Sequence, residues 1–406
     1  MVGMTDRVLL VPAGDVSAAR AWWGAGLAVA AVGWGAQQFA PLLLLYQSEL
    51  GLSATVVQGT FGLYVLGLIP GLLLGGPCSD RYGRRRVMVP TLVASVVGTV
   101  LLILGGTSAE WLFAGRLVAG VASGAAFSAG AAWLKELSAV GVDGVNPAPR
   151  RLTVTMSVGF GLGPLVAGVL AQWGPWPTVL PYLPHLVLAV VALPLSLRTP
   201  ETRQARSRDD RARRPAGSGV AGRRFRTVVV PLAPWVFGSA GIALAYLPGL
   251  VAARLDGHAL IFSAVVTMLT AGAGILVQPL ARRLDRLGGP RLIGAALGIV
   301  VAGLLVAAGA SAAVSPPLVV LAAVVLGAGY GCCQVCGLLE VQRLAPPERL
   351  AGLTASYQAV SYLGYIAPFP LAALSRSVPP TGLLLGVAAL ALLTLAWTSW
   401  QARVSA

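Results

Sequence analysis

The chain has 406 residues, of which 56% are hydrophobic and only 11% are charged, and its mean hydropathy is +0.80. Soluble globular domains carry about 25% charged residues, so this composition excludes an ordinary soluble protein and indicates one that crosses a membrane several times. A net charge of +15 would suggest nucleic-acid binding in a soluble chain. Here the arginines fall between apolar runs, where they orient membrane spans, so we expect a lipid bilayer and no nucleic acid as the surroundings.

Twelve apolar runs of about 20 residues are long enough to cross the hydrocarbon core of a bilayer. They predict an all-α membrane protein with twelve transmembrane helices. The predicted spans are 22–46, 56–77, 87–105, 111–134, 153–173, 177–197, 227–252, 259–280, 290–309, 317–339, 351–373 and 380–400.

The distribution of basic residues predicts the orientation of these spans. If the N-terminus is cytoplasmic, the inner segments hold 26 of the 29 basic residues, and the outer loops hold only Arg254 and Arg376. Basic residues are retained on the cytoplasmic side, so both termini are predicted to be cytoplasmic. The 28 arginines against a single lysine are typical of a GC-rich bacterial genome. We therefore expect a multi-pass protein of the bacterial cytoplasmic (inner) membrane.

A short basic segment, residues 76–86, joins the second and third predicted spans. Gly76 and Gly83 are expected to let the backbone turn sharply, and the arginines favour an anionic membrane surface. Asp80 is a lone carboxylate among these cations, and we interpret it as a conformational switch. A positively charged stop between two spans is the simpler alternative.

This segment resembles the loop between helices 2 and 3 of the major facilitator superfamily, whose pattern is roughly G-x-x-x-D-R-x-G-R-[KR]. The resemblance implies two pseudo-symmetric halves of six helices each and a gating role for the segment. The matching positions are Gly76, Asp80, Arg81, Gly83, Arg84 and Arg85.

Arg116 lies inside the fourth predicted span, where a central arginine costs about 2.5–3.5 kcal/mol on insertion scales. Gly120 and Gly124 follow it and keep one flank of the helix slim enough for close packing. The stretch is similar to the helix-4 motif of the superfamily, which implies an arginine that faces the central cavity and is linked to proton movement. In the alternative interpretation Arg116 extends to the membrane surface, since Glu110 is only six residues away.

The fifth predicted span carries Gly159, Gly163, Pro164 and Gly168. This series is similar to the glycine and proline motif of drug/proton antiporters, with Ala167 where a glycine is usual. Proline bends a helix and glycine lets it pack closely. The resemblance implies efflux rather than uptake, although many apolar helices contain a Gly-Pro pair by chance.

Residues 199–226 form a basic segment that contains proline, glycine and serine and interrupts the apolar composition. It predicts a linker between an N-terminal half, 1–198, and a C-terminal half, 227–406. The linker is expected on the cytoplasmic side, either flat on the anionic leaflet or as a solvated disordered connector.

The basic segment recurs in degenerate form at Asp285, Arg286 and Gly288, with Asp285 placed 205 residues after Asp80. A repeat of this kind is typical of transporters built from two related halves. We interpret these residues as a second part of the switch.

The family fold implies a latch on the state that is closed on the inner side. Asp80 is predicted to lie against the N-terminus of helix 11 near Leu350, where unpaired N–H groups carry a partial positive charge. By the repeat, Asp285 is predicted to lie against the start of helix 5 near Arg151.

Neutral polar side chains are expected to line a central cavity around Arg116, because no carboxylate lies in the middle of a predicted span. Glu340 and Glu136 lie at the inner ends of their spans, and Glu340 is the better candidate proton carrier. Such a cavity suits a neutral or anionic amphiphile better than a cation. The candidate lining residues are Gln37, Gln38, Tyr330, Gln334, Tyr357 and Gln358.

The sequence predicts a transporter that moves a small organic solute by alternating access, with proton-coupled efflux as the leading mode. An uptake symporter or facilitator of the same fold is one alternative, and a transport-inactive membrane sensor or assembly subunit is another. An enzyme is not expected, because no span carries paired carboxylates or an acid with a histidine. We expect a monomer without metal or cofactor, since the few candidate ligands do not form a set. They are Cys78, Cys332, Cys333, Cys336, His185 and His258.

Overall fold

The computed structural model describes residues 21–138, 147–202, 222–285, 289–346 and 349–404. Helices joined by short turns make up these ranges, and no strand occurs within them. Each predicted span corresponds to one helical segment. The segments are α1 (Trp22–Glu49), α2 (Ala54–Tyr82), α3 (Arg84–Leu104), α4 (Ala109–Ser138), α5 (Arg150–Trp173), α6 (Leu180–Arg198), α7 (Phe225–Arg254), α8 (Ala259–Leu284), α9 (Arg291–Ala313), α10 (Pro316–Leu344), α11 (350–374) and α12 (Pro380–Gln401).

Eleven of these helices are long and apolar enough to cross a membrane. The exception is α11, which consists of Leu350–Tyr362, a 3₁₀ turn Leu363–Ile366, and Pro368–Leu374. Pro368 has no backbone N–H to continue the helical hydrogen bonds, so the helix is interrupted there.

The turn between α2 and α3 is tighter than the sequence predicts. Gly83 alone forms it, with a φ of +108° that L side chains rarely adopt. The predicted sharp turn at Gly76 is wrong: α2 continues to Tyr82, so Gly76 and Asp80 lie in its last turns. The predicted second span ends at residue 77 because the prediction followed the apolar run. The polar residues after it continue the same helix to Tyr82.

Glycines set the distance between α2 and α4. A Cβ added to Gly120 would overlap the carbonyl oxygen of Tyr64, and one added to Gly124 would overlap that of Leu68. Only glycine permits such a close approach of the two backbones. In the second half, α8 and α10 cross in the same way at Gly331, so the two halves share this packing.

The glycines of α5 contact both halves of the protein. A Cβ on Gly159 would lie 2.6 Å from the carbonyl oxygen of Ala30 in α1, and Gly163 also lies against α1. Gly168, near the other end of α5, lies against Ala264 of α8. Helix α5 therefore packs on its own half at one end and on the opposite half at the other.

Helices α4 and α5 each carry one π-helical turn, and α7 carries two, at Phe225–Val229 and Ile242–Tyr246. The turn at Ala126–Gly130 in α4 contains Phe127, and the turn at Val158–Leu162 in α5 contains Phe160. In α5 the cause is local, since Pro164 cannot donate a hydrogen bond to the carbonyl group of Phe160. Nothing in the structure explains the π turn of α4.

The two halves, α1–α6 and α7–α12, contact each other at the centre and at one end of the bundle. We call this end the far end, and the opposite end, which carries Asp80, Arg84 and Arg343, the basic end. The ion pairs Arg84–Asp80, Arg84–Glu136, Arg224–Glu340, Arg343–Asp285 and Arg343–Glu340 at the basic end each join residues of the same half. Side-chain hydrogen bonds between the halves at the far end are Thr55 to Ala372 O (3.3 Å), Gln58 to Ala245 O (2.6 Å), Gln172 to Gly257 O (2.8 Å) and Ile261 N to Gln172 Oε1 (3.3 Å).

Candidate functional site

A buried guanidinium group organises the basic end of the N-terminal half. Nη2 of Arg84 lies 2.9 Å from Oδ1 of Asp80 and 2.8 Å from Oε1 of Glu136, and Nη1 donates to Ser79 at 2.5 Å. The Arg84 side chain is 6% exposed. Asp80 and Arg84 are one helical turn apart in sequence, on either side of the turn at Gly83. The predicted switch residue is thus held by ion pairs within its own half.

The start of the linker is bound to this cluster through a carboxylate that the sequence analysis missed. The Glu201 side chain accepts hydrogen bonds from the backbone N–H groups of Arg84 (2.6 Å) and Arg85 (3.0 Å). It therefore caps the N-terminus of α3, where unpaired N–H groups favour an anion. Nearby, Trp133 donates a hydrogen bond to the carbonyl oxygen of Pro200 at 3.0 Å. The only signal for this cap in the sequence is a carboxylate shortly after the end of the sixth predicted span.

The basic end of the C-terminal half has a second cluster. Arg343 lies 2.5 Å from Asp285 and 3.0 Å from Glu340, and Arg224 lies 3.2 Å from the other carboxylate oxygen of Glu340. Glu340, the proposed proton carrier, is 2% exposed. Its two oxygens both contact guanidinium groups, so the contacts give it a structural ion-pair role at the end of α10.

The latch stays a prediction, because it concerns a state closed at the basic end, whereas the hydrogen bonds between the halves in this structure lie at the far end. Asp80 pairs here with Arg84, and Asp285 pairs with Arg343. Arg286 and Gly288, the remaining predicted switch residues of the second half, lie outside the described residues.

Arg116 is buried among aromatic rings within the N-terminal half. Its guanidinium carbon lies 4.4 Å from the ring centre of Tyr64, 4.6 Å from that of Phe39 and 5.8 Å from that of Phe61. Nη1 donates to the carbonyl oxygen of Ala36 at 3.2 Å. With the side chain only 2% exposed, the alternative in which Arg116 extends to the membrane surface is excluded.

The charge of Arg116 is not matched by an acid. Within the described residues, no carboxylate forms an ion pair with it, and its Nε atom has no hydrogen-bond partner. A positive charge in an apolar interior is costly without an anion, and cation–π contacts offset only part of that cost.

Five aromatic residues meet at the centre of the molecule, and we call them the central aromatic cluster: Phe127, Phe160, Phe237, Tyr330 and Tyr362. Phe127 and Phe160 come from the first half and are 5.4 Å apart between ring centres. In the second half, the ring of Phe237 stacks on Tyr362 at 4.1 Å and lies 5.5 Å from Tyr330. Phe127 and Tyr362 join the halves at 6.4 Å. Apart from Tyr330, the sequence analysis missed these residues.

Four of the predicted cavity residues lie at or beside this centre. Gln37 lies beside Tyr365 of the opposite half, and Tyr330 belongs to the cluster. Gln334 and Gln358 lie one turn from cluster residues on α10 and α11, and each has a buried amide oxygen without a partner.

The other two predicted cavity residues, Gln38 and Tyr357, each lie inside their own half of the protein. Gln38 donates to Thr99 at 3.1 Å, and Thr99 bonds to His185 at 2.9 Å, so Gln38 points towards α3 and α6. Tyr357 donates to the carbonyl oxygen of Cys333 at 3.0 Å and packs on α10. Gln38 follows Gln37, and Tyr357 precedes Gln358; both of these neighbours lie at or beside the centre. Because successive residues of a helix point about 100° apart, adjacent side chains face different surroundings.

Comparison with known proteins identifies the family. The family model of the Major Facilitator Superfamily matches residues 24–368. The chain belongs to the major facilitator superfamily. This confirms the resemblance inferred from the basic segment and the fold of twelve helices in two halves.

Several relatives in this superfamily match parts of the chain. It is 25% identical over 281 residues to a chloramphenicol resistance protein of Pseudomonas aeruginosa, which covers 66% of this chain and 63% of that protein. It is 33% identical over 139 residues to a triacylglyceride transporter of Mycobacteroides abscessus; the aligned part covers 32% of this chain and 25% of that protein. For a 3-(3-hydroxy-phenyl)propionate transporter of Escherichia coli, the identity is 30% over 142 residues, covering 34% and 33%. The chain thus spans less than two thirds of the length of these relatives.

Solved structures of the superfamily share the fold. A POT family transporter in complex with 5-aminolevulinic acid has a TM-score of 0.72 at 12% identity, covering 93% of this chain and 94% of that one. The nucleoside transporter NupG has a TM-score of 0.68 at 12% identity, covering 93% and 98%. At such low identity the likeness concerns the fold alone.

Proposed function

We propose that this chain transports a small organic solute by alternating access, in the mode of proton-coupled efflux. The observation that carries the proposal is the set of hydrogen bonds that join the two halves at the far end. The halves are hydrogen-bonded at the far end, whereas at the basic end each half forms its ion pairs internally. Two halves that are held together at one end are what one of the two states of alternating access requires.

The basic end is proposed to face the cytoplasm, because basic residues are retained there. A reporter fused after Arg214, in the linker, should then read as cytoplasmic. One inserted at Val314, in the turn between α9 and α10, should read as external. An external signal at Arg214 would contradict this orientation.

Efflux is favoured over uptake by two observations. The glycine and proline series of α5 is similar to the motif of drug/proton antiporters, and one relative is named a chloramphenicol resistance protein. The proposed coupling element is Arg116, whose unmatched charge would respond to a proton or an anion that arrives beside it.

Everted membrane vesicles test the direction and the coupling together. In a strain that lacks its own exporters, vesicles that contain this chain should accumulate a labelled solute such as chloramphenicol when respiration acidifies their lumen. A protonophore should abolish the accumulation. Vesicles that contain Arg116→Ala at equal abundance are the matched control.

The alternatives give different results in the same assay. A facilitator equilibrates the solute whether or not the protonophore is present. An uptake symporter accumulates it only in right-side-out vesicles with an acidic exterior. A transport-inactive sensor moves none of a broad panel of solutes, and that result would contradict the proposal.

A further inference from the structure

In the central aromatic cluster, Phe127 and Tyr362 are the rings that meet across the two halves. These two rings come from opposite halves, are within 14° of parallel, and have centres 6.4 Å apart. A ring inserted between two parallel rings needs about 7 Å, which is two carbon contacts of about 3.5 Å each. The planes of the two rings are at most 6.4 Å apart, so α4 and α11 would have to separate by at least roughly 0.6 Å to admit a third ring.

Each of these two rings is backed by another aromatic ring of its own half. Phe160 lies 5.4 Å from Phe127, and Phe237 stacks on Tyr362 at 4.1 Å and 9°. Aromatic pairs bind each other more strongly than their buried area alone accounts for. A flat aromatic solute would gain such contacts from both halves, which an aliphatic solute of equal size would not.

The charge at the centre of the molecule excludes a cation. Arg116 is a buried positive group of the N-terminal half, and its neighbour Phe61 has a ring 5.4 Å from that of Tyr365 in the C-terminal half. Every carboxylate among the described residues lies near a helix end or in a turn, and none is in the middle of a helix. The central field is therefore positive, and it favours a neutral or negatively charged solute.

The same region offers polar groups that lack partners. The Nε atom of Arg116 and the Nε1 atom of Trp34 are buried donors without an acceptor. Gln358, one turn before Tyr362, and Gln334, one turn after Tyr330, each have an amide oxygen without a donor. An unsatisfied buried polar group is costly, so a solute that carries a hydrogen-bond acceptor relieves part of this cost.

We propose that the solute is a planar aromatic molecule with at least one hydrogen-bond acceptor, and that it binds as a neutral species or a monoanion rather than as a cation. The inference rests on the proposed transport function and adds the substrate class of the same site. Phe127 and Tyr362 contact the aromatic ring of the solute, and the positive charge of Arg116 disfavours a solute that is a cation.

Three matched probes test the ring and the charge separately. They are 3-phenylpropionate, cyclohexanepropionate, which keeps the charge but has no aromatic ring, and 3-phenylpropylammonium, which keeps the ring but is a cation. Binding to the full-length protein in lipid nanodiscs is measured by equilibrium dialysis. We expect 3-phenylpropionate to bind about threefold to tenfold more tightly than cyclohexanepropionate, and the cation to show no binding at a tenfold higher concentration.

Two substitutions assign the preference to the cluster. Phe127→Leu and, independently, Tyr362→Leu should remove the preference for the aromatic ring while the protein retains its helicity. Phe369→Leu is the control, because Phe369 is 41% exposed and lies outside the cluster. It should keep the preference.

The outcomes separate this inference from the proposed function. Equal binding of the two acids, tighter binding of the cation, or no binding of any probe would overturn the substrate class even if the chain transports another solute. Aromatic-selective binding without movement of the probe in proteoliposomes would support the substrate class and contradict the transport function.

Discussion

Arg116 illustrates how far a single residue can be interpreted from the sequence. Its position inside an apolar run left two interpretations, a buried side chain or one that extends to the membrane surface, and the structure shows that it is buried. Its surroundings could not be predicted, because Phe39, Phe61 and Tyr64 belong to two other helices. Which rings cover the guanidinium group depends on the rotation of α1 and α2 around their axes.

Replacing Arg116 tests whether its charge or its geometry matters for transport. Arg116→Ala should abolish transport in proteoliposomes while membrane insertion stays intact, since the buried positive charge is lost. Arg116→Lys should retain part of the rate, because an ammonium group keeps the charge but lacks the planar group that stacks on rings. Arg254→Ala, in an exposed turn at the far end, is the control. Full transport by Arg116→Ala would remove this residue from the mechanism.

At the scale of helices, the crossing of α2 and α4 depends on Gly124. Gly124→Ala would place a methyl group against the carbonyl oxygen of Leu68, and overpacking of this kind costs about 1–3 kcal/mol. We expect a lower midpoint of thermal unfolding in detergent. Gly298→Ala, in α9, has open space around it and should leave the midpoint unchanged or raise it, because alanine favours a helix. Equal midpoints for both variants would contradict the packing role of Gly124.

The cap that Glu201 forms on α3 should contribute to stability. Glu201→Ala removes both hydrogen bonds to the first N–H groups of the helix, and the loss of a cap costs about 0.5–2 kcal/mol. The midpoint of thermal unfolding should fall. Glu49→Ala, at the exposed end of α1, should have little effect. The prediction is wrong if the two variants unfold at the same temperature.

The elements could be predicted from the sequence more fully than the contacts between them. Lipid requires about 20 apolar residues per span, so all twelve helices were visible as apolar runs. The π turns that contain Phe127 and Phe160 could not be predicted, because a π turn leaves the apolar composition of a helix unchanged. The Glu201 cap was not visible either, since it joins residues 117 positions apart.

At the scale of the whole molecule, each half keeps its own ion-pair cluster at the basic end. Asp80, Arg84 and Glu136 all belong to the first half, and Asp285 and Arg343 both belong to the second. Movement of one half against the other as a rigid body leaves these pairs intact. They therefore contribute equally to both conformational states and do not set the balance between them.

The balance is instead predicted to depend on a contact that forms only when the basic end closes. In that state Asp80 would face the N-terminus of α11, a contact worth about 0.3–1 kcal/mol if exposed and up to about 2 kcal/mol if partly buried. Asp80→Asn loses the ion pair with Arg84 in both states, so this loss does not change the free-energy difference between them. It loses the contact with α11 only in the state closed at the basic end. A difference of about 1.4 kcal/mol would shift the equilibrium tenfold towards the state seen here.

Single cysteines in a cysteine-free background can measure this shift. Ser356→Cys, on an exposed part of α11 near the basic end, and Thr55→Cys, at the hydrogen bond to Ala372 at the far end, report the opening of each end. Asp80→Asn should speed the labelling of the first cysteine and slow that of the second. Asp285→Asn should act in the same direction but more weakly, because the motif around it is degenerate. Asp256→Asn, an exposed turn residue with a φ of +43° that asparagine tolerates, should change neither rate. An unchanged ratio of the two labelling rates in Asp80→Asn would show that Asp80 is not a latch, because the contact it loses would then favour neither state.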